Sequence, residues 1–240
     1  EYGGPMLESY DLYVAKSGEE IVNEQTYHFE DNGGRMLAIR PEMTPTVARM
    51  VAAKLGSLNM PLRWFSIPNL YRYEKPQRGR LREHWQVNVD MFGSEAIETD
   101  LELLMVASEL LKSFGADESM FTIKINNRRF YNDLFETYLG LDKEGARKVS
   151  KAIDKKHKMS DESFQEYLAE LGLDEEKIRK LNSFFTLSLD EMIELCPESQ
   201  GAKELRDLFA LINEAGMGDF CEFDFSIIRG LDYYTGTVFE

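Results

Sequence analysis

Residues 63–93, RWFSIPNLYRYEKPQRGRLREHWQVNVDMFG, read as two strands joined by an arginine-rich turn. Alternation sets Arg72 and Glu74 on one face of the first strand, and His84, Gln86, Asn88 and Asp90 on one face of the second. The opposite face of the second strand carries Trp85, Val87, Val89 and Met91. A strand with a clean apolar side ordinarily turns that side to the core and its polar side to water, so the plain expectation is a half-buried hairpin. The turn is less ordinary. Lys75, Arg78, Arg80 and Arg82 put four cations into the eight residues 75–82, just after Arg72. Such a run repels itself unless it is solvated or given an anion. Arginine's planar fork of donors matches phosphate oxygens, and a charge-assisted hydrogen bond is worth roughly 1.5 to 3 kcal/mol. The turn therefore has the chemistry of a phosphate clamp or of a solvated basic loop.

The chain around it is acidic, with 240 residues, a net charge of -15 and 43% hydrophobic residues. That length and apolar content suit a globular core, as one large domain or a domain with a smaller insertion. The charge excludes a protein that coats nucleic acid over its whole surface, so any polyanion must meet a local patch. Cys196 and Cys221 are too few for a disulfide framework, and the 3 histidines are scattered. No protein-held metal is expected, and a reducing cytoplasm is the expected compartment. No apolar run is long enough to cross a membrane, and no signal-peptide pattern opens the chain. It begins at Glu1 rather than methionine and closes at Glu240 in a strand-like stretch, so it reads as a fragment.

Upstream of the hairpin, Met36 to Arg40 predicts a short strand that Pro41 ends. Thr44 followed by Pro45 predicts a helix start with Thr44 as its cap, running to about Leu55. Residues 40–44, RPEMT, thus form a strand-to-helix corner where side chains and free backbone amides can face a ligand. Thr44 as a cap and Glu42 near a helix start also have purely architectural readings. Earlier still, Glu19 to Phe29 leads to a turn at Asn32, Gly33 and Gly34, whose glycines suit positive φ.

Downstream, Glu95 to Phe114 predicts an amphipathic helix with Leu101, Leu104, Met105 and Leu111 inward and Gly115 as its stop. Phe121 to Asn126 reads as a strand and Phe130 to Leu139 as a helix. From about Gly140 to Pro197 lysine, glutamate and leucine dominate, in helical segments capped by residues such as Ser160 and Asp174 and broken at Gly172. This stretch reads as a small helical insertion, and runs such as Lys155, Lys156 and Lys158 as solvated faces. Ala202 to Ala215 predicts another helix, Cys221 to Ile228 a strand, and 229–236, RGLDYYTG, a charged, aromatic corner bracketed by glycines. Strands that return after helices, with a hairpin and no βαβ rhythm, predict an α+β domain on a mainly antiparallel sheet.

Three stretches, RPEMT (40–44), YRYEKPQRGRLREHWQ (71–86) and RGLDYYTG (229–236), resemble the histidyl-tRNA synthetases in order and rough spacing, over essentially the whole chain. The hairpin resembles motif 2 of the class II aminoacyl-tRNA synthetases, Pro5 falls where motif 1 ends, and RGLDYYTG is similar to a motif peculiar to the histidine enzyme. The resemblance implies a class II antiparallel sheet flanked by helices, holding L-histidine and ATP with Mg2+, and dimerisation through motif 1. It implies activation of histidine to histidyl-adenylate and transfer to the 3′ end of tRNA(His). Residues 1–139 and 198–240 would be catalytic domain, and 140–197 a helical insertion approaching the tRNA acceptor arm.

Carried over position by position, Glu42 and Thr44, with Met43 between them, would hold the histidine α-amino group. Arg72 would grip the ATP α-phosphate with the substrate carboxylate, Glu74 would read the adenine amino group and Arg80 would meet the ATP phosphates. His84 takes the adenine-stacking position, where the family usually has phenylalanine, and Met43 stands where many bacterial members have glycine. Gln86 would orient the histidine carboxylate, and Asp90 the amino group or pocket. Tyr233 and Tyr234 would line the imidazole pocket, and Arg229 would stabilise charge on the α-phosphate during attack. Motif 3 and the anticodon-binding domain are absent, which implies that these residues alone are weakly active or inactive. A rival on the same fold is the non-catalytic, histidine-binding regulatory subunit of ATP phosphoribosyltransferase. The intact Arg72, Glu74, Gln86 and Arg229 weigh against it. A generic acidic interaction domain would make three motif matches coincidental.

Overall fold

The computed structural model describes residues 1–18, 21–75, 77–228 and 234–240, in two compact units, Glu1–Glu95 and Ala96–Glu240. In the first unit the order is β1 (Leu7–Ser9), α1 (Tyr10–Val14), a π turn (Ile21–Gln25), β2 (His28–Glu30), β3 (Met36–Ile39) and α2 (Thr44–Lys54). Then come β4 (Leu62–Ser66), β5 (Asn69–Tyr71), β6 (Glu83–Trp85) and β7 (Asn88–Phe92). β3 lies between β1 and β2, antiparallel to both. Of the two glycines between β2 and β3, Gly34 takes the positive φ, at 76°.

The hairpin is a single ladder with one break. Leu62 faces Phe92, Ser66 faces Asn88, Asn69 faces Trp85 and Tyr71 faces Glu83. No residue is gained or lost between the two paired halves. The break falls at Pro68, which has no N–H to give the ladder; its carbonyl still accepts from Gln86 N–H at 3.1 Å. Pairing continues past β5 to Arg72 N–H on Arg82 O at 2.9 Å. The tip is tight: Arg80 N–H donates to Gln77 O at 3.0 Å, and Gly79 supplies a φ of 81°.

From Phe65 to Leu70 and at Trp85 and Val87 the faces of this hairpin lie opposite to the expectation, while β7 is half-buried on both faces. Trp85 is 71% exposed, and Val87, Phe65 and Ile67 are exposed with it, whereas Ser66 and Leu70 on the other face are buried. The face that looks polar in the second strand is completed by Leu62, Trp64 and Leu70 from the first. Leu62 clusters with Val47 and Val51 of α2, with Trp64 and Phe92 packed against them. Those apolar residues decide the direction, and Asn88 and Asp90 follow them to the inside. The other correction concerns α2. Its cap position is Met43, with no side-chain cap bond, so Thr44 is the first helical residue.

The second unit runs α3 (Ile97–Ser113), β8 (Ile123–Asn127), α4 (Arg128–Asp133), a π turn (Leu134–Tyr138), α5 (Lys143–Asp154) and α6 (Asp161–Glu170). It continues with α7 (Glu175–Phe184), α8 (Leu189–Leu195), α9 (Gln200–Glu214), β9 (Cys221–Phe223) and β10 (Thr237–Phe239). β8 is flanked by β10, antiparallel, and β9, parallel. In α3, Leu104 is buried as expected, but Met105 and Leu111 are exposed, because the buried line runs through Leu104 and Ser108. The strand expected over 221–228 stops at Phe223. There Asp224 turns the chain by accepting from Ser226 N–H and Oγ at 2.8 and 2.6 Å.

The helices after Gly140 are well punctuated. Asp142, Ser160, Asp174, Ser188 and Ser199 each accept from a backbone N–H of the first turn of the helix they precede. Such caps are each worth about 1 kcal/mol. Their apolar faces join β8, α4 and α9 in one cluster that includes Ile125, Phe130, Phe135, Val149, Leu168, Leu181 and Leu208. α9 approaches α4 backbone to backbone at Gly201, where a Cβ would lie 2.3 Å from Phe130 N.

Candidate functional site

In the first unit the corner and the hairpin meet. Arg72 Nε donates to Pro41 O at 2.8 Å, and Tyr71 N–H donates to Arg40 O at 3.1 Å. Arg40 itself is buried and spent on architecture: it donates to Asn69 O at 3.0 Å, Gly4 O at 2.8 Å and Asn69 Oδ1 at 3.2 Å. Glu42 is buried and accepts from the Ser17 hydroxyl. A carboxylate removed from water needs such partners. Met43 is 1% exposed. With Met43 at the cap, the exposed Thr44 hydroxyl has no hydrogen-bond partner among the described residues, so the architectural reading of Thr44 falls away. Two residues on, buried Thr46 shares a 3.2 Å hydrogen bond with Tyr13, whose hydroxyl burial pushes up to about 12.

Along the hairpin, Glu74 and Arg80 face each other across the turn, Oε2 to Nη1 at 3.4 Å. Arg82 donates to Glu74 O at 3.2 Å and lies 4.2 Å from the centre of the Tyr73 ring. Lys75 and Arg78 are exposed. His84 is half-buried, and that burial together with the nearby Arg72 charge holds its pKa below the usual histidine value. At neutral pH it is a flat, uncharged ring. Gln86 is exposed. Asp90 accepts from Tyr2 hydroxyl at 2.8 Å, and burial raises its carboxyl above the usual range. Burial pushes the Tyr2 hydroxyl up to about 12, which keeps it a donor.

One unit therefore carries guanidinium groups suited to phosphate, carboxylates suited to an ammonium, and a neutral ring suited to stacking. Of the remaining expected residues, Arg229 and Tyr233 lie outside the described residues, and Tyr234 is half-buried in the second unit. There, fully buried Asn126 on β8 donates to Phe225 O at 3.1 Å and Ile227 O at 3.2 Å, fixing the backbone that leads towards position 229. Sequence reasoning missed Tyr2 and Ser17, the partners of Asp90 and Glu42. They lie 88 and 25 residues from those carboxylates, where no local pattern announces a contact. Among the described residues no three His, Cys, Asp or Glu gather to hold a metal, and no helix is long and apolar enough to cross a membrane.

A family model described as histidyl-tRNA synthetase matches residues 3–240. The chain belongs to the histidyl-tRNA synthetase family. Within that family it is 45% identical, over 246 residues, to the histidine–tRNA ligase of Leptospira biflexa, covering 100% of this chain and 55% of that protein. To the histidine–tRNA ligase of Natronomonas pharaonis it is 41% identical over 244 residues, covering 100% and 56%. The chain thus spans about half the length of the curated relatives it matches. Among solved structures, one from Bacillus halodurans titled as an ATP phosphoribosyltransferase regulatory subunit/histidyl-tRNA synthetase superposes with a TM-score of 0.85 at 24% identity, covering 100% of this chain and 62% of that one. The histidyl-tRNA synthetase of Nostoc gives 0.82 at 22% identity, covering 99% and 56%. These likenesses establish the shared α+β fold of the class II synthetases.

Proposed function

We propose that this chain is catalytic-domain sequence of a histidine–tRNA ligase, acting in the cytoplasm as a homodimer. A carboxylate oxygen of histidine attacks the α-phosphorus of ATP; the bond to the bridging oxygen breaks and pyrophosphate leaves, giving histidyl-adenylate. A terminal hydroxyl of tRNA(His) then attacks the acyl carbon and AMP leaves. Mg2+ arrives with ATP as part of the substrate. Residues 140–197 are the helical insertion, and 1–139 with 198–240 the catalytic part.

The observation that carries this reading is the hydrogen bond from Arg72 to Pro41 O, 2.8 Å long. It draws the phosphate-type cation of the hairpin against the corner that holds Glu42. The barrier to joining two anions is largely repulsion and positioning, so guanidinium groups supply the countercharge, a part this reading gives to Arg72, Arg80 and Arg229. The histidine ammonium meets Glu42 and Asp90, where one contact is worth about 4 kcal/mol at an effective dielectric of 20, before desolvation. Thr44 and Met43 complete that end, Gln86 orients the carboxylate, Glu74 and His84 take the adenine, and Tyr233 and Tyr234 line the imidazole pocket.

Histidine-dependent exchange between ATP and pyrophosphate, measured on the intact protein, tests the reading. Arg72→Ala should slow exchange about a hundredfold or more, as loss of one preformed donor does; near wild-type exchange sinks it. Glu42→Gln should raise the KM for histidine more than that for ATP. An equal rise in both returns Glu42 to architecture. The regulatory-subunit alternative predicts histidine binding with no exchange at all.

A further inference from the structure

Tyr2 is anchored at three points of the first unit. Its backbone N–H donates to Phe65 O of β4 at 2.9 Å, its ring lies 5.6 Å from that of Trp64, and its hydroxyl donates to Asp90 Oδ2 at 2.8 Å. Trp64 and Asp90 face each other in the ladder of β4 and β7, so the ring contact and the hydroxyl contact fall on one cross-strand pair. Packing on Trp64 asks only for the ring, which phenylalanine would supply. The hydroxyl is the part that needs an account, because taking it out of water costs free energy unless a partner receives it.

The partner it receives is a carboxylate held in a different way from others in this protein. Glu8 closes on Arg49 at 2.6 Å and Asp224 on Lys124 at 2.6 Å. Asp90 has no cation beside it among the described residues; there the Tyr2 hydroxyl is its one hydrogen-bond donor, on Oδ2, and Oδ1 accepts from none. A guanidinium or ammonium would fix the carboxylate but cancel its charge. A neutral hydroxyl, pushed up to about 12 by burial and so protonated at any physiological pH, fixes one oxygen and leaves the negative charge for a ligand at the other. An aspartate side chain turns about two bonds, and a hydrogen bond to one oxygen removes much of that freedom before a ligand arrives.

We propose that Tyr2 is a positioning residue for the substrate ammonium: its hydroxyl aims the second oxygen of Asp90 at that group without cancelling the charge of the carboxylate. This rests on the assignment of Asp90 to the histidine ammonium made above. Tyr2 acts through Asp90 and touches neither histidine nor ATP.

The test compares Tyr2→Phe, which keeps the ring on Trp64, with Asp90→Asn and with the double variant, in histidine-dependent pyrophosphate exchange by the intact protein. Tyr2→Phe should raise the KM for histidine about fivefold or more, as loss of a hydrogen bond to a charged group does, and leave the KM for ATP within about twofold. A carboxylate that loses its donor is protonated more easily, so the acid limb of kcat/KM for histidine should move to higher pH, by about half a unit or more. In the Asp90→Asn background the same substitution should change the KM for histidine less than about twofold, because the two residues act as one unit. A KM for histidine that is raised in Asp90→Asn and unchanged in Tyr2→Phe overturns this proposal and leaves the ligase reading standing. A KM unchanged in Asp90→Asn overturns the assignment of Asp90 and this proposal with it. Equal rises in the KM for histidine and for ATP, or an effect of Tyr2→Phe that recurs in full in the Asp90→Asn background, return Tyr2 to architecture and overturn the proposal as well.

Discussion

In the second unit large apolar side chains from Phe130 to Ile212 close on one another, whereas in the hairpin of the first Trp85, Val87, Phe65 and Ile67 face outward and Ser66 and Asp90 face inward. The helices bury what their own periodicity marks, because each helix decides its inner face largely by itself. A hairpin decides its faces by the sum of two strands, and here Leu62, Trp64 and Leu70 outvote the apolar side of the second. The difference has a functional side. Polar groups drawn inward sit where the effective dielectric is lower and each charge acts more strongly.

The sharpest way to break the comparison is Phe135→Ala. Phe135 is fully buried among Tyr131 and Phe225, so urea unfolding should show a loss of about 3 to 5 kcal/mol. A loss below about 1 kcal/mol would mean that the helical core is not one close-packed body. A smaller change of opposite sign is expected at Asp90→Asn. Burial raises the Asp90 carboxyl above its ordinary 3.8. The fold therefore favours the neutral form: that stability is full below 3.8 and is lost as pH rises through the raised value. At pH 7 the asparagine variant should melt higher than wild type, with weaker pH dependence from 3.8 upward, while binding histidine less well. A lower melting point at pH 7 would contradict the inward placement of this charge. The smallest effect belongs to Trp85→Ser, within about 0.5 kcal/mol for a surface site. A loss above about 2 kcal/mol would show that this face is covered in solution.

Much of this molecule was legible in its sequence. The hairpin with its basic turn, the caps at Ser160 and Asp174 and the fold class all follow from local chemistry, because turns, caps and alternation are written within a few residues. The family followed from three motifs in order. What escaped was non-local. The direction of the hairpin depends on α2, the release of Thr44 depends on a helix start shifted by one residue, and the partners of Glu42 and Asp90 come from Ser17 and Tyr2. The breadth of the core shared by α4, α5 to α8 and α9 was equally hidden, since composition marks helices without saying what they pack on.

The pair formed by Glu74 and Arg80 across the turn has a consequence for how a nucleotide would dock there. Docking exchanges one partner for another instead of neutralising a bare guanidinium, and breaking the pair offsets part of the gain. Arg80 is well exposed, and screening acts over about 8 Å at physiological ionic strength. Added salt then weakens the internal competitor and the new contact together. Nucleotide affinity should therefore fall less steeply with salt than the number of arginines in the turn suggests.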